Sequence, residues 1–230
     1  MRNIGVYVLH WGGENGEHDR LTVQCVESWI DEARQIGAAV TVIDNGSPKA
    51  FDKPHQWADV NVLRLENNLP LIDAFNAGIK NHACWYVICV TNDTLKPDGV
   101  PFLAGLADVL ERERVGICAP GTNDAGGGTL HVTEALGKAD HDTRHVDNVV
   151  WAWNWGFLGL PRADGHTHRA CWYSNKEFCW RARRDGLRVV AATGSAYVHH
   201  LNTGGNDREA HEHGERWLKN VMGENYHDAW

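Results

Sequence analysis

The stretch Val87–Gly99, VICVTNDTLKPDG, joins an apolar run to a polar turn. Its first half is rich in β-branched residues, which favour a buried strand. The run ends at Asn92 and Asp93, and the residues after them include the Pro and Gly typical of turns. In open α/β sheets, ligands bind at the carboxyl ends of the strands. The stretch therefore predicts a buried strand whose end presents Asp93 to a functional crevice.

Other apolar runs precede and follow this stretch and alternate with amphipathic segments. The apolar runs are 4–9, 39–44, 60–65, 85–90 and 115–120, and the amphipathic segments are 21–36, 71–79 and 100–113. Such alternation is typical of an α/β fold with a mostly parallel central sheet and helices on both faces. Asp44 ends the second apolar run, so its carboxylate is predicted to lie at the same edge of the sheet as Asp93.

The composition fits one soluble domain. The chain has 230 residues, of which 43% are hydrophobic and 23% are charged, enough for one sizeable core. No apolar stretch approaches the length of a membrane span, so a cytoplasmic protein is expected, in the host cytoplasm if its source is viral. The net charge of −8 disfavours general attraction to nucleic acid. The six cysteines form no CxxC pair and are expected to be buried thiols.

After residue 120 the hydrophobic period is lost. Residues 121–147 contain three consecutive glycines and are predicted to form a long flexible loop. In the aromatic run that follows, Trp151, Trp153 and Trp155 alternate and would share one face of a strand. Such a face fits either a binding platform or a packed core.

Regular structure is predicted again towards the carboxyl end of the chain. A helix is expected from Lys176 to Asp185, with Gly186 as its stop. Two apolar runs, 188–192 and 196–200, read as strands. Residues 206–230 are predicted to form a C-terminal helix and a polar tail.

The order of these segments resembles that of the family 2 glycosyltransferases of the GT-A fold, especially the rhamnosyltransferase-like branch. The matching motifs are VTVIDNGSP, ENNLPLIDAFNAGI, VTNDTL, VGICAP, WGFLGLPR, NKEFCWRARRDGLRVV and AYVHH. The resemblance covers residues 3–205. It implies a single GT-A domain with a nucleotide-sugar-binding half at 1–120 and an acceptor and catalytic half at 148–205.

The resemblance implies a donor site for a nucleoside-diphosphate sugar, with a UDP-sugar as the first choice. Asp44 matches the acidic residue that accepts a hydrogen bond from the nucleobase, and Asn45 beside it belongs to the same site. Asp44 is equally suited to form the D-N-G-S turn, and both roles are expected. Asn76 matches an asparagine on the helix beside the donor. Asn92 matches a position that contacts the ribose or the metal.

The resemblance also implies a divalent cation, Mn²⁺ or Mg²⁺, bound with the donor's diphosphate. Asp93 matches the closing aspartate of the family's DxD-like signature, in which this chain has Thr91 and Asn92 in place of carboxylates. A hard cation with oxygen ligands neutralises charge on the leaving diphosphate. His199 matches a histidine that reaches the same metal. His200 is the alternative, because neighbours on a strand point to opposite faces.

The catalytic base departs from the pattern of the family. Relatives carry an acidic pair before the last matching helix, whereas this chain has Ser174 and Asn175, neither of which is a general base at neutral pH. Glu177 becomes the candidate base, although a glutamate at a helix start is equally typical of a favourable contact with the helix dipole. Asp164 and Asp124 are further alternatives.

The resemblance predicts an inverting transfer of a hexose to an acceptor hydroxyl. The tryptophans 151, 153 and 155 would form the acceptor side, and the acceptor stays open between a glycan, a protein and a hydroxymethylated base in viral DNA. A non-catalytic nucleotide-sugar-binding module derived from a glycosyltransferase is the alternative, since it would explain Ser174 and Asn175. A sugar nucleotidyltransferase is disfavoured, because the glycines after the first strand stand in an acidic segment.

Overall fold

Strands and helices alternate along the computed structural model, which describes residues 3–13, 16–82, 84–123, 139–146, 149–163, 172–201 and 208–229. The strands are β1 (Ile4–His10), β2 (Ala39–Asp44), β3 (Val60–Arg64), β4 (Tyr86–Thr91), β5 (Thr94–Leu95), β6 (Val115–Thr122), β7 (His141–Asp142), β8 (Val150–Asn154) and β9 (Arg188–His200). The helices are α1 (Glu17–Glu27), α2 (Ile30–Ile36), α3 (Leu71–Asn81), α4 (Leu103–Leu110), α5 (Trp155–Leu158), α6 (Trp172–Arg184) and α7 (Arg208–Met222), and a 3₁₀ helix follows at Gly223–Ala229.

One mixed sheet runs through the described chain in the order β3-β2-β1-β4-β8-β6-β9-β5, with β7 paired to β9. Strands β1 to β4 are parallel to one another, and β6 is parallel to β9. Strand β8 lies between β4 and β6 and runs antiparallel to both, because it begins at Val150 beside Val90, near the carboxyl end of β4. The predicted α/β fold is confirmed, with β8 as the main exception to the parallel direction.

Helices cover both faces of the sheet, as predicted. Helices α1, α2 and α4 pack on one face, where Trp29 and Leu106 are buried. Helices α3 and α6 pack on the other face, where Phe75 and Phe178 are buried. Helix α4 approaches β9 so closely that a Cβ added to Gly105 would lie 1.8 Å from the backbone oxygen of Ser195. Burial of both faces explains why the strands are nearly continuous apolar runs.

Several predicted boundaries differ in the structure. The segment expected as a loop at 121–147 includes the end of β6 and all of β7, and its residues 124–138 and 147 lie outside the described chain. Helix α6 begins at Trp172, earlier than predicted, and Gly186 takes a φ of 75° two residues after its end. That left-handed conformation favours glycine and ends the helix as expected. The polar tail is a 3₁₀ helix over its described length.

The cysteines of the described chain are buried and form no disulfide bonds, as predicted. They are Cys25, Cys84, Cys89, Cys118 and Cys179, whereas Cys171 lies outside the described residues. Burial raises the pKa of the Cys25 thiol to about 11. None of the described helices combines the length and apolar character that crossing a bilayer requires.

Candidate functional site

Polar side chains meet at the edge of the sheet where the parallel strands end. His10 ends β1 and pairs in register with Asp44, which ends β2. Asp93 follows β4, and His200 ends β9, where its backbone pairs with Thr94. The prediction that Asp44 and Asp93 lie at the same edge is therefore confirmed.

Asp93 and His200 form a close polar contact at this edge. The His200 Nε2 lies 3.2 Å from the Asp93 Oδ2, and the two side chains are only 10% and 11% exposed. The backbone NH of Leu201 donates to the Asp93 carbonyl at 2.8 Å, which fixes the two segments together. A carboxylate oxygen and an imidazole nitrogen are thus held side by side by two different strand ends.

His199 does not face Asp93. Its side chain is exposed, and its ring packs edge-on against Tyr197 with 5.5 Å between the ring centroids. The choice of His199 as the residue beside Asp93 was therefore wrong, and His200 occupies that place. The reason is the register of β9, in which Thr94 pairs with His200 and Leu95 pairs with His199.

Asn92 points away from Asp93 towards α1. Its Nδ2 donates to the Thr22 Oγ1 at 3.0 Å, and the Thr22 hydroxyl donates to the His18 carbonyl at 2.9 Å. These contacts engage the Nδ2 of Asn92, and its predicted contact with a ribose or a metal stays a prediction. The side chain ties the turn that carries Asp93 to α1.

His10 belongs to the same network and was missed by the sequence reasoning. Its Nδ1 lies 2.8 Å from the Thr22 Oγ1, and its Nε2 lies 3.2 Å from the Asp19 Oδ1 without hydrogen-bond geometry. The pKa of His10 is lowered, chiefly by burial, although Asp19 and Asp44 act in the opposite direction. A polar residue that ends an apolar strand was the available signal, since the same signal identified Asp44.

The donor atoms at Asp93 fit a divalent cation in part. The 3.2 Å between the His200 Nε2 and the Asp93 Oδ2 is close to the ~3 Å that separates adjacent ligands of an octahedral ion with ~2.1 Å bonds. Within the described ranges, no group of three or more His, Cys, Asp or Glu side chains is placed to hold a metal. Two donor atoms are fewer than a divalent cation requires, so an ion held by this pair would need further ligands from outside the described side chains.

Both carboxylate oxygens of Asp44 accept hydrogen bonds from neighbouring residues. Its Oδ1 accepts from the backbone NH of Ser47 at 3.1 Å, and its Oδ2 accepts from that of Phe51 at 3.1 Å. The Arg64 guanidinium donates to the same Oδ2 at 2.6 Å. Burial alone would raise the pKa of Asp44, but these hydrogen bonds and the charge of Arg64 hold the pKa below its ordinary value. The predicted turn-forming role is confirmed, and the side chain is only 1% exposed.

Asn45 and Asn76 also bind backbone. The Asn45 Oδ1 accepts from the Leu69 NH at 2.9 Å and its Nδ2 donates to the Leu69 carbonyl at 2.8 Å, so it fixes the segment that leads into α3. The Asn76 Nδ2 donates to the Pro161 carbonyl at 3.0 Å. Its Oδ1 is buried and has no hydrogen-bond partner in the described part of the chain.

Glu177 lies in α6 with a side chain that is 0% exposed. Its two carboxylate oxygens lie 3.4 Å from Arg162 and 3.7 Å from Arg181. The pKa of Glu177 is raised, chiefly by burial, although the two guanidinium groups oppose this effect. Arg162 follows Pro161, the residue bound by Asn76, so the segment 158–163 connects α3 with α6.

The residues at the place of the family's acidic pair are both buried. Asn175 donates through its Nδ2 to the Val146 carbonyl, and the Ser174 hydroxyl has no hydrogen-bond partner among the described residues. Neither supplies a carboxylate. The alternatives Asp164 and Asp124 lie outside the described residues.

Trp151 and Trp153 belong to the core. Both are 0% exposed, their rings lie 5.0 Å apart, and Phe178 of α6 packs edge-on against each of them. Trp155 begins α5 instead of continuing the strand, and with Trp85 it lines an apolar pocket of about 500 Å³. Because Asn154 at the end of β8 pairs with Tyr86, this pocket lies at the edge opposite Asp93. The three indoles therefore do not form one open platform.

No protein-family model and no curated protein sequence matches the chain. Solved structures match its fold. A crystal structure of GalNAc-T7 with UDP, GalNAc and Mn²⁺ has a TM-score of 0.70 at 15% identity, and the match covers 99% of this chain and 49% of that one. The mannosyltransferase PcManGT from Pyrobaculum calidifontis, in complex with GDP-Man and Mn²⁺, has a TM-score of 0.66 at 12% identity, with 96% of this chain and 65% of that one covered.

Residues 1–349 of S. aureus TarS in complex with UDP-GlcNAc also have a TM-score of 0.66, at 14% identity, with 99% of this chain and 69% of that one covered. This chain thus spans about half the length of GalNAc-T7 and about two thirds of the other two. At these identities the likeness shows the fold alone. The chain has the GT-A fold.

Proposed function

We propose that this protein is a metal-assisted glycosyltransferase that moves a hexose from a nucleoside-diphosphate sugar to an acceptor hydroxyl with inversion. The observation that carries the proposal is the contact of Asp93 with His200, 3.2 Å apart at the carboxyl edge of a GT-A sheet. The three solved structures described above hold a nucleotide or nucleotide sugar, and two of them hold Mn²⁺. UDP or a UDP-sugar occurs in two of them, which supports a UDP-sugar as the first donor to test. The order of the sequence motifs supports family 2.

Asp93 and His200 would hold the cation, which neutralises charge on the departing diphosphate when it is bound. Asn92 positions Asp93, because its hydrogen bond to Thr22 fixes the turn that carries Asp93 against α1. Asn76 would act on the donor indirectly, by holding the segment at Pro161 through its Nδ2, because its Oδ1 is buried. Both oxygens of Asp44 already accept hydrogen bonds. Asp44 would therefore contribute to nucleobase binding indirectly, by fixing Arg64 and the loop that follows β2.

Glu177 is the candidate for the base that removes the proton from the acceptor hydroxyl. Burial raises the pKa of its carboxyl, and a base is most effective when its pKa lies nearer to the working pH. Arg162 and Arg181 keep the carboxylate in place at 3.4 and 3.7 Å. The acceptor hydroxyl would belong to a glycan, a protein or a hydroxymethylated base in viral DNA.

A thermal-shift experiment tests the donor site. UDP, GDP and dTDP and their sugars are each measured with Mn²⁺, with Mg²⁺ and with chelator. At a ligand concentration of ~100 Kd, binding stabilises the protein by about 2.7 kcal/mol, which raises the Tm of a chain of this size by roughly 5–10 °C. We expect this rise for one nucleotide and only with metal.

Matched variants test whether the metal-dependent thermal shift depends on Asp93 and His200. Asp93→Asn and His200→Ala should abolish the metal-dependent shift. Asp98→Asn, an exposed carboxylate on the same turn, and His199→Ala should keep it. A shift of equal size in chelator, or the same loss in His199→Ala as in His200→Ala, would contradict the proposed metal site.

A non-catalytic nucleotide-sugar-binding module is the second candidate. It is favoured by one observation: Ser174 and Asn175 are buried at the start of α6 and bring no carboxylate to the acceptor side. Both candidates bind the donor, so release of nucleoside diphosphate from the donor sugar in the absence of acceptor separates them. Release that Glu177→Gln abolishes supports the enzyme, and full binding without release supports the module.

A further inference from the structure

A second cavity lies on the flank of the molecule, at the end of α6. It has a volume of about 520 Å³, and its described lining consists of Arg144, Trp180, Arg183, Arg184, Asn225 and Asp228. Three arginines thus line one cavity of a chain whose net charge is −8. This concentration of positive charge contrasts with the net negative charge of the chain. It would attract an anionic ligand.

Arg183 is the best-defined cation of this cavity. Its Nη2 donates to the backbone carbonyl of Asp228 at 2.6 Å, whereas its Nε is buried and has no hydrogen-bond partner among the described residues. The pKa of Arg183 is lowered, first by burial and also by the neighbouring positive charge of Arg144. The guanidinium of Arg183 is therefore partly desolvated, and the exposed Arg144 adds a second positive charge to the same cavity. An anion bound at Arg183 would offset the cost of burying its charge and reduce the repulsion from Arg144.

Arg184 also lines this cavity. Its guanidinium lies 5.1 Å from the centre of the Trp180 ring, and its Nε donates to the Asp185 Oδ1 at 3.0 Å. Stacking on an indole limits the rotamers of an arginine and leaves the outer edge of the guanidinium available for further hydrogen bonds. Asp228 also lines the cavity, and its negative charge acts on the pKa of Arg183 in the direction opposite to that of burial.

The cavity is separate from the Asp93 and His200 pair. Arg144 follows β7, which pairs with Val190 and Ala191 near the start of β9. Val190 pairs with Cys118 and Val198 pairs with Thr122, because β9 bulges between Ala192 and Tyr197. His200, the last residue of β9, therefore lies roughly 20 Å further along the sheet at ~3.3 Å per residue. A diphosphate bound beside Asp93 does not reach this cavity.

We propose that the cavity lined by Arg144, Arg183 and Arg184 binds a phosphoryl oxyanion, as a phosphate monoester or as a phosphodiester group of a longer ligand. The planar fork of arginine matches the oxygens of phosphate and forms paired, charge-assisted hydrogen bonds with them. The site is independent of the proposed transfer reaction, because it uses none of the residues placed at the donor or at the base.

Isothermal titration of the full chain with inorganic phosphate tests the site. The titration is run in chelator and at constant ionic strength set with chloride, so that metal-dependent donor binding does not contribute. We expect saturable binding that Asp93→Asn retains and that Arg183→Gln weakens by about tenfold or more, as loss of a charged hydrogen bond predicts. Arg34→Gln, which removes one exposed positive charge from α2, is the matched control and should bind as the wild type does.

Arg184→Gln is the second variant, because its side chain is 54% exposed and its loss leaves the fold intact even if Arg183→Gln does not fold. Competition with a short oligothymidylate identifies the source of the phosphoryl group: displacement of phosphate supports a phosphodiester ligand, and its absence supports a monoester. No saturable binding, equal weakening in Arg34→Gln, or loss in Asp93→Asn alone would each overturn the proposal.

Discussion

Replacement of Asp44 by asparagine measures how much the carboxylate at the end of β2 contributes to the fold. An asparagine keeps one acceptor oxygen and places an NH₂ group where the other oxygen accepts from Phe51 and Arg64. A buried NH that loses its acceptor costs ~1–3 kcal/mol, and a lost hydrogen bond to a charged group costs ~1.5–3 kcal/mol. The free energy of unfolding should therefore fall by about 3 kcal/mol at pH 7.

The pH dependence of this difference is a second test. The pKa of Asp44 in the folded protein lies below its ordinary value of about 3.9. The ionised carboxylate therefore contributes stability that is complete above that value and is lost as the pH falls through the folded-state pKa. The difference in stability between the wild type and Asp44→Asn should therefore become smaller as the solution is acidified below about pH 4.

Urea unfolding followed by tryptophan fluorescence measures both effects, because the chain has 11 tryptophans. Asp52→Asn, an exposed carboxylate in the same loop, is the control and should change stability by no more than ~0.5 kcal/mol. An Asp44→Asn variant as stable as the wild type at pH 7, or a difference that persists unchanged in acid, would refute the reasoning.

Three further predictions concern packing and catalysis. Gly105→Ala should lower the free energy of unfolding by at least ~2 kcal/mol, because the clash with the Ser195 oxygen outweighs the ~1 kcal/mol gain in helix propensity. Urea titration measures this change. A stabilised variant would contradict the close packing of α4 on β9. Trp151→Ala should cost ~3–5 kcal/mol as a core truncation, whereas Trp155→Ala should cost about 1 kcal/mol or less. Glu177→Gln should reduce turnover by ~100-fold or more without changing the donor-induced thermal shift. The acidic limb of the wild-type pH profile should then lie above the ordinary glutamate pKa of about 4.3, because burial raises that pKa.

The sequence predicts the layers of the fold better than the direction of its strands. Alternating apolar runs and amphipathic segments identify the strands and helices, because burial determines both periodicities. Strand β8 is equally apolar whether it runs parallel or antiparallel to β4, so nothing in VVWAWN reports its direction. The alternation of Trp151 and Trp153 correctly places them on one face, but the pattern does not tell whether a helix covers that face.

At the site, strand ends are predictable and side-chain orientation is not. Asp44 and Asp93 stand out in the sequence because each is a carboxylate at the end of an apolar strand, where parallel strands present ligand-binding groups. His199 and His200 are the same residue type in adjacent positions, so only the pairing of β9 with β5 decides between them. Arg64 gives no signal in VNVLRL, because its contact with Asp44 depends on the register between β2 and β3.

The place of β8 has a consequence for the way the chain acquires its fold. Strand β8 is the eighth strand along the chain, yet it lies at the centre of the sheet between β4 and β6. Until it emerges from the ribosome, β4 and β6 both present unpaired edges, which are templates for association with other chains. A truncation after β6 should therefore yield insoluble protein, although all strands of the parallel part of the sheet from β1 to β4 would be present. We therefore expect the first half of the chain to complete its fold only when the second half is present.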